Sequence, residues 1–182
     1  SLEDKVRELE RKSRENIKRN EEELRRAKRE SEENIKRNEE ELKRNKERSD
    51  RMIEKIRRET DDERVKKILK DLARRSEELL RRSKEILEEL RELSERIVKE
   101  STDILRELLE LVKEVAKRLR RVDKDVVERL REALEDANRR VNERNRELIK
   151  RLKEANKKVN EENEDLLRES EEILRRVEEE VR

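Results

Sequence analysis

The amino-acid sequence predicts an all-α fold, an elongated, nearly untwisted up-down-up bundle of three long helices. First, apolar residues recur at helical spacing through almost all of the 182 residues, among the strong helix formers Glu, Lys, Arg and Leu. Second, the chain contains no Gly and no Pro, the two residues that most often interrupt a helix. Third, residues 13–30 and 31–48 are two almost identical copies of an eighteen-residue segment.

The eighteen-residue repeat indicates that each helix is straight. The two copies read SRENIKRNEEELRRAKRE and SEENIKRNEEELKRNKER. Eighteen residues make five whole turns at 3.6 residues per turn, so a repeated side chain returns to the same face of the helix. The same step recurs in the other two predicted helices, and we expect the same geometry there.

The charged residues exclude several classes of partner. Asp, Glu, Lys and Arg make up 59% of the chain, but 55 basic and 53 acidic residues leave a net charge of only +2. Such a composition can indicate disorder, yet the regular spacing of the apolar residues favours folded helices. The two signs alternate finely and form no basic stripe, so we expect neither nucleic acid nor an anionic membrane as a partner.

The sequence contains no recognisable targeting or membrane segment. The longest run of consecutive apolar residues is two, which is too short for a membrane span or a signal-peptide core. We therefore expect a soluble chain that is consistent with cytoplasmic recombinant expression, although its natural location stays unknown. The absence of cysteine leaves the redox compartment open.

The first helix is predicted over about residues 2–59. The pattern from Thr60 to Glu63 fits a capping box at the start of the next helix. Ser49 resembles a cap locally, but Ile35 and Ile53 keep the eighteen-residue step across it, so we expect the helix to continue. The inward stripe is poor in apolar residues and is completed by serines and asparagines, namely Ser13, Ser31, Ser49, Asn16, Asn20, Asn34, Asn38 and Asn45.

The second helix is predicted over about residues 62–121. Its apolar residues fall within an arc of about 160°, which is typical of a helix with one buried face. Leu87 and Leu105 keep the eighteen-residue step, so the cap-like Ser101 does not end the helix. Four serines lie near the centre of the arc and are expected to be buried: Ser76, Ser83, Ser94 and Ser101.

The third helix is predicted over about residues 125–181, after a turn at 123–125. Asp125 and Glu128 have the spacing of a second capping box. Six asparagines lie on the apolar stripe or at its margin, in pairs eighteen residues apart: Asn138, Asn142, Asn145, Asn156, Asn160 and Asn163. We assign all three helices to one domain that spans residues 1–182.

The repeats also predict the register between the helices. Short turns make successive helices antiparallel, so the first and third helices run parallel and begin about 122 residues apart. Four asparagines are then level with four others: Asn16, Asn20, Asn34 and Asn38 with Asn138, Asn142, Asn156 and Asn160. The second helix brings Ser101 near the level of Asn20, and Ser83 near that of Asn38.

We interpret these levels as hydrogen-bond layers between apolar layers. A buried amide without a partner costs about 1–3 kcal/mol, so a slipped register would be penalised at several asparagines at once. Asn16, Asn34, Asn142 and Asn160 lie towards the edges of their stripes, where solvation is an equal alternative. The predicted layer residues are Asn16, Asn20, Asn34, Asn38, Asn45, Ser76, Ser83, Ser94, Ser101, Asn138, Asn142, Asn145, Asn156, Asn160 and Asn163.

The residue types present argue against catalysis. The chain has no His and no Cys, which removes the commonest acid–base groups, the thiolate nucleophile and the usual zinc ligands. It has no aromatic residue on which a nucleic-acid base could stack. Runs of Glu are expected to be solvated faces with oppositely charged neighbours one turn away. We therefore predict no enzyme activity, no cofactor and no metal.

The segment SEENIKRNEEELKRNKER, the five-turn repeat, the missing Gly and Pro, and the Asn and Ser layers together resemble computationally designed, parametric helical bundles with hydrogen-bond networks. The resemblance covers the whole chain and implies a stable scaffold without natural activity, which requires no partner. An interaction module is the alternative, with Leu93, Leu111, Ile149 and Leu167 meeting another copy of the chain or a designed partner helix.

Overall fold

A computed structural model describes residues 2–119 and 124–181 as three long helices. They are α1 (Leu2–Glu59), α2 (Glu63–Leu119) and α3 (Lys124–Val181). The predicted all-α class with three helices is confirmed, and α1 has the predicted bounds. The predicted end of α2 at residue 121 and the first residue of the predicted second turn, Asp123, lie outside the described residues.

The turn between α1 and α2 lies at residues 60–62, as predicted, but its capping residue is Asp62 rather than Thr60. The backbone N–H of Arg64 donates to Asp62 Oδ1 at 2.9 Å, and the N–H of Lys66 donates to the Asp62 carbonyl at 3.1 Å. Thr60 Oγ1 instead accepts a 3.2 Å bond from the N–H of Asp62, which stabilises the turn itself. The cap therefore satisfies a free N–H group of the first helical turn.

The start of α3 also differs from the predicted capping box. The described helix already includes Lys124, so Asp125 lies within the first turn instead of preceding it. A carboxylate in this position still favours the helix, because the N-terminal end of a helix carries partial positive charge.

The contacts within the chain divide it into two compact units, each of which takes a stretch from all three helices. The first unit contains Ser1–Ser31 and Leu93–Lys153, and the second contains Glu32–Glu92 and Glu154–Arg182. The assignment of the whole chain to a single domain stays a prediction.

The first unit has an apolar core that combines residues of α1, α2 and α3. Its buried members are Val6, Ile17, Leu105, Leu108, Val112, Val115, Val127 and Leu134. Burying a Val, Leu or Ile side chain contributes about 1.5–3 kcal/mol relative to leaving it exposed. The three helix segments of this unit are therefore held together mainly by apolar burial.

The second unit has its own apolar core, again built from all three helices. Its buried members are Ile53, Ile56, Leu69, Leu72, Leu174 and Val177. Met52 and Ile173 pack against this cluster as partly buried side chains. Helix α1 thus supplies apolar residues to the core near its end, although its middle turns carry few.

Candidate functional site

The first unit contains two hydrogen bonds between level asparagines of α1 and α3. Asn16 Nδ2 donates to Asn138 Oδ1 at 3.0 Å, and Asn20 Nδ2 donates to Asn142 Oδ1 at 2.8 Å. Both pairs are separated by 122 residues, the offset that the sequence predicts. The side-chain amide of Asn20 also donates to the backbone carbonyl of Asn16 at 2.9 Å, which fixes its rotamer.

These bonds continue into the centre of the first unit and reach α2. Asn145 Nδ2 donates to Asn20 Oδ1 at 3.4 Å, and the Ser101 hydroxyl donates to Asn145 Oδ1 at 2.9 Å. Ser101 is fully buried, and only 1% of the surface of Asn145 is exposed. Side chains from all three helices are thereby joined in one layer.

A serine of α1 lies at the other end of this chain of bonds. Asn138 Nδ2 donates to Ser13 Oγ at 3.2 Å and to the backbone carbonyl of Leu134 at 2.8 Å. Ser13 is buried, whereas Asn138 is half-buried. We call the connected set the first network; its members are Ser13, Asn16, Asn20, Ser101, Asn138, Asn142 and Asn145.

The second unit repeats the α1–α3 bonds with the residues eighteen positions further along. Asn34 Nδ2 donates to Asn156 Oδ1 at 2.9 Å, and Asn38 Nδ2 donates to Asn160 Oδ1 at 2.9 Å. Asn38 also donates to the carbonyl of Asn34 at 2.8 Å. Asn163 Nδ2 donates to Asn38 Oδ1 at 3.0 Å. These five asparagines are the second network.

The second network lacks the bond to α2. Ser83 and Asn163 occupy the positions of Ser101 and Asn145, and each is only 1% exposed. Ser83 Oγ and Asn163 Oδ1 nevertheless have no hydrogen-bond partner. The prediction that polar layers close across all three helices therefore holds in the first unit and fails at this atom pair in the second.

Asn45 belongs to a separate pair in the second unit. Asn45 Nδ2 donates to Ser170 Oγ at 3.2 Å, and the Ser170 hydroxyl lies 3.4 Å from Asn45 Oδ1 as a donor. The two residues are 125 positions apart, the same offset that joins Asn20 to Asn145. The pair thus continues the register of the networks by one further layer.

The two remaining predicted serines of α2 differ in burial. Ser94 is buried in the first unit, and Ser76 is half-buried in the second. Among the edge asparagines, Asn34 is buried, whereas Asn16, Asn142 and Asn160 are half-buried. Half-buried amides can satisfy their remaining groups with water, so they complete the networks at little cost.

Ser13 of the first network and Ser170 of the separate pair with Asn45 were not among the predicted layer residues. A second offset identifies them, because the pairs Ser13–Asn138 and Asn45–Ser170 are both 125 residues apart. The offset of 122 describes only one of the two rows of contacts between these parallel helices. Ser49 shows the limit of the rule: its partner position is Leu174, and its hydroxyl has no hydrogen-bond partner.

Ion pairs between helices flank the networks. Arg144 of α3 lies 2.6 Å from Glu100 of α2 in the first unit, and hydrogen bonding to this carboxylate raises the pKa of Arg144. In the second unit, Arg91 of α2 lies 2.6 Å from Glu39 of α1, with the same effect on the pKa of Arg91. These pairs are largely exposed, so solvent screens the charges and each pair contributes little to stability.

Two features that often mark a function, a metal site and a membrane span, are absent from residues 2–119 and 124–181. No group of three or more Asp or Glu side chains in this part of the chain is placed to hold a metal ion. None of the three helices, as far as described, combines the length and the apolar character needed to cross a membrane. No protein-family model, curated protein or solved structure compared with the chain matches it.

Proposed function

We propose that the chain is a computationally designed structural scaffold in which Asn and Ser layers fix the register of the helices. The observation that carries this proposal is that the same hydrogen bonds between side-chain amides of α1 and α3 occur in both units. The same amide nitrogen donates to the same amide oxygen at Asn16–Asn138 and Asn34–Asn156, one eighteen-residue step apart. Asn20–Asn142 and Asn38–Asn160 repeat a second bond in the same way.

The energetic role of the layers follows from their burial. Apolar side chains pack against many neighbours, so an apolar core tolerates a shifted register more readily than a polar layer does. A slip of one turn would separate every bonded pair by about 5.4 Å. Each buried amide left without a partner then costs about 1–3 kcal/mol, as polar core positions do in coiled coils.

The register can be tested by measuring a distance between α1 and α3. Arg19 and Arg140 are exposed residues of the first unit, and Arg19→Cys with Arg140→Cys provides two sites for nitroxide labels. Electron–electron resonance should give one narrow distance distribution in this double variant. Replacing the asparagines of both networks with leucine should broaden or shift the distribution by about one turn.

A matched control uses a polar pair that belongs to neither network. Asn45→Ala with Ser170→Leu introduces the residue types found eighteen positions earlier, at Ala27 and Leu152. This double substitution should leave the distance distribution narrow. If the distribution also stays narrow and unshifted without the network asparagines, the layers do not set the register and the proposal is wrong.

An interaction module is the second candidate function, and the exposed leucine of α2 favours it. Leu111 is 40% exposed, and Leu93, one repeat earlier on the same edge, is half-buried. Light scattering on a size-exclusion column at tens of micromolar separates the candidates. A mass near 22.5 kDa supports the self-contained scaffold, whereas a multiple of it supports association through this edge.

A further inference from the structure

The second unit contains a small cavity between its three helices. Leu42, Leu79 and Leu166, one from each helix, line this cavity together with the polar residues Asn45, Lys46, Ser76 and Ser83. The space open to the centre of a water molecule is about 10 Å³. That volume is about what a single water molecule needs.

A buried hydroxyl without a protein partner lies in the wall of this cavity. Ser83 is only 1% exposed, and its Oγ makes no hydrogen bond to the protein. A hydroxyl can donate one hydrogen bond and accept two. Leaving it unsatisfied in the core costs about 1–3 kcal/mol, so a polar guest in contact with it is favoured.

Two further polar side chains face the same space. Asn45 bonds to Ser170 through one amide proton, which leaves its second amide proton for another acceptor. Ser76 is half-buried and contributes another hydroxyl. Besides Lys46, whose ammonium group bonds to Asp50, three polar residues thus line the cavity, which matches the two to four partners that buried waters have.

We propose that this cavity is a binding site for one internal water molecule, held by Ser83 Oγ together with Asn45 and Ser76. The water completes the polar layer of the second unit by satisfying Ser83, the residue that makes no bond to Asn163. The site is independent of the proposed scaffold function, because it would exist whatever the chain is used for.

The first unit provides an internal control for the proposal. The positions one repeat away from Ser83 and Asn45 are Ser101 and Ala27. Ser101 already donates to Asn145, and the Ala27 methyl group offers no hydrogen bond. The first unit thus lacks two of the three polar groups that would hold a water, although its α2 sequence is similar at these positions.

Oxygen-17 magnetic relaxation dispersion, which counts water molecules held for longer than the tumbling time, provides the test. Ser83→Ala should lower the number of long-lived internal waters by one relative to the unsubstituted chain. Ser94→Ala, a control at a buried serine of α2 in the first unit that belongs to neither network, should leave that number unchanged. Retention of the helical circular dichroism spectrum shows that both variants are folded.

A second measurement on the unsubstituted chain keeps the proposal testable if a variant does not fold. Rotating-frame Overhauser spectra should show cross-peaks between a bound water and the methyl groups of Leu79 and Leu80, both of which line the cavity. The corresponding residues of the first unit, Ile97 and Val98, should show none. Absence of a long-lived water from the unsubstituted chain, or an unchanged number in Ser83→Ala, would overturn the proposal.

Discussion

The two units carry the same polar layer twice, and only one copy closes across all three helices. In the first unit, Ser101 bonds to Asn145 at 2.9 Å, whereas Ser83 and Asn163, at the equivalent positions, leave a hydroxyl and an amide oxygen without partners. The α1–α3 bonds are the same in both units. Identical layer residues therefore fix the register of the parallel helices α1 and α3, but they do not by themselves fix the bond to the antiparallel helix α2.

The residues that lie next to the polar layer also differ between the two units. In the first unit, Ala27 of α1 lies two turns from the central asparagine of the polar layer, and Ile97 of α2 lies about one turn from its serine. In the second unit, the same positions carry Asn45 and Leu79, and both line the cavity beside Ser83. We infer that packing in the adjacent layer, rather than the polar residues themselves, decides whether the serine hydroxyl reaches its amide partner.

The largest expected effect comes from removing the central asparagine of either network. Asn20→Ala should lower the free energy of unfolding by about 2–4 kcal/mol, since both Asn145 and Asn142 lose a partner. Asn38→Ala should cost a similar amount, because Asn38 makes the equivalent bonds to Asn160 and Asn163. Guanidinium denaturation measures both. An unchanged midpoint for either variant would mean that water already replaces those bonds.

A smaller but more discriminating effect is expected at the serines. Ser101→Ala should lower the free energy of unfolding by about 1–2 kcal/mol, because it leaves the buried oxygen of Asn145 unpaired. Ser83→Ala should change it by less than about 0.5 kcal/mol, since no protein group loses a partner. Equal losses in the two denaturation curves would contradict the structural difference between the units.

Replacing all the bonded polar residues at the centre of a layer should lower the free energy of unfolding less than removing one of them. Replacing only Asn20, Asn142 and Ser101 would leave Asn145 unpaired in the core. The substitution must therefore include Asn145 as well. With leucine at the three asparagines and alanine at the serine, we expect a loss of less than about 1 kcal/mol or a gain. The same denaturation assay checks this. A loss larger than that of Asn20→Ala would show that the layer contributes net stability.

The smallest effect is expected at the ion pairs between helices. In the first unit Glu100 of α2 pairs with Arg144 of α3, whereas the equivalent positions of the second unit, Arg82 and Glu162, carry reversed charges. Glu100→Lys should lower the free energy of unfolding slightly at low salt, less than any of the substitutions above. The loss should shrink near 1 M salt, where the Debye length is only about 3 Å. A loss that persists there would indicate a packing role for the Glu100 side chain.

Much of this site could be predicted because a straight helix converts residue spacing into position. The eighteen-residue step identifies the face, and the offset of 122 identifies the bonded pairs, as Asn16–Asn138 shows. The same sequence also contains the offset of 125, which identifies Ser170 as the partner of Asn45. The cap at Asp62 could not be predicted in the same way, because Thr60 and Asp62 are both good capping residues and only the backbone path of the turn selects between them.

The sequence by itself determined the three helices and their buried faces, because these depend on the periodicity of the apolar residues. It also determined the register of α1 against α3, because the turns between successive helices are short. The tertiary structure alone decided which buried hydroxyl finds an acceptor, since that depends on shifts well below one helical turn. Ser101 and Ser83 have the same place in the repeat and different surroundings. A hydrogen bond weakens steeply with distance and angle, so packing differences too small to change the fold are enough to make or lose it.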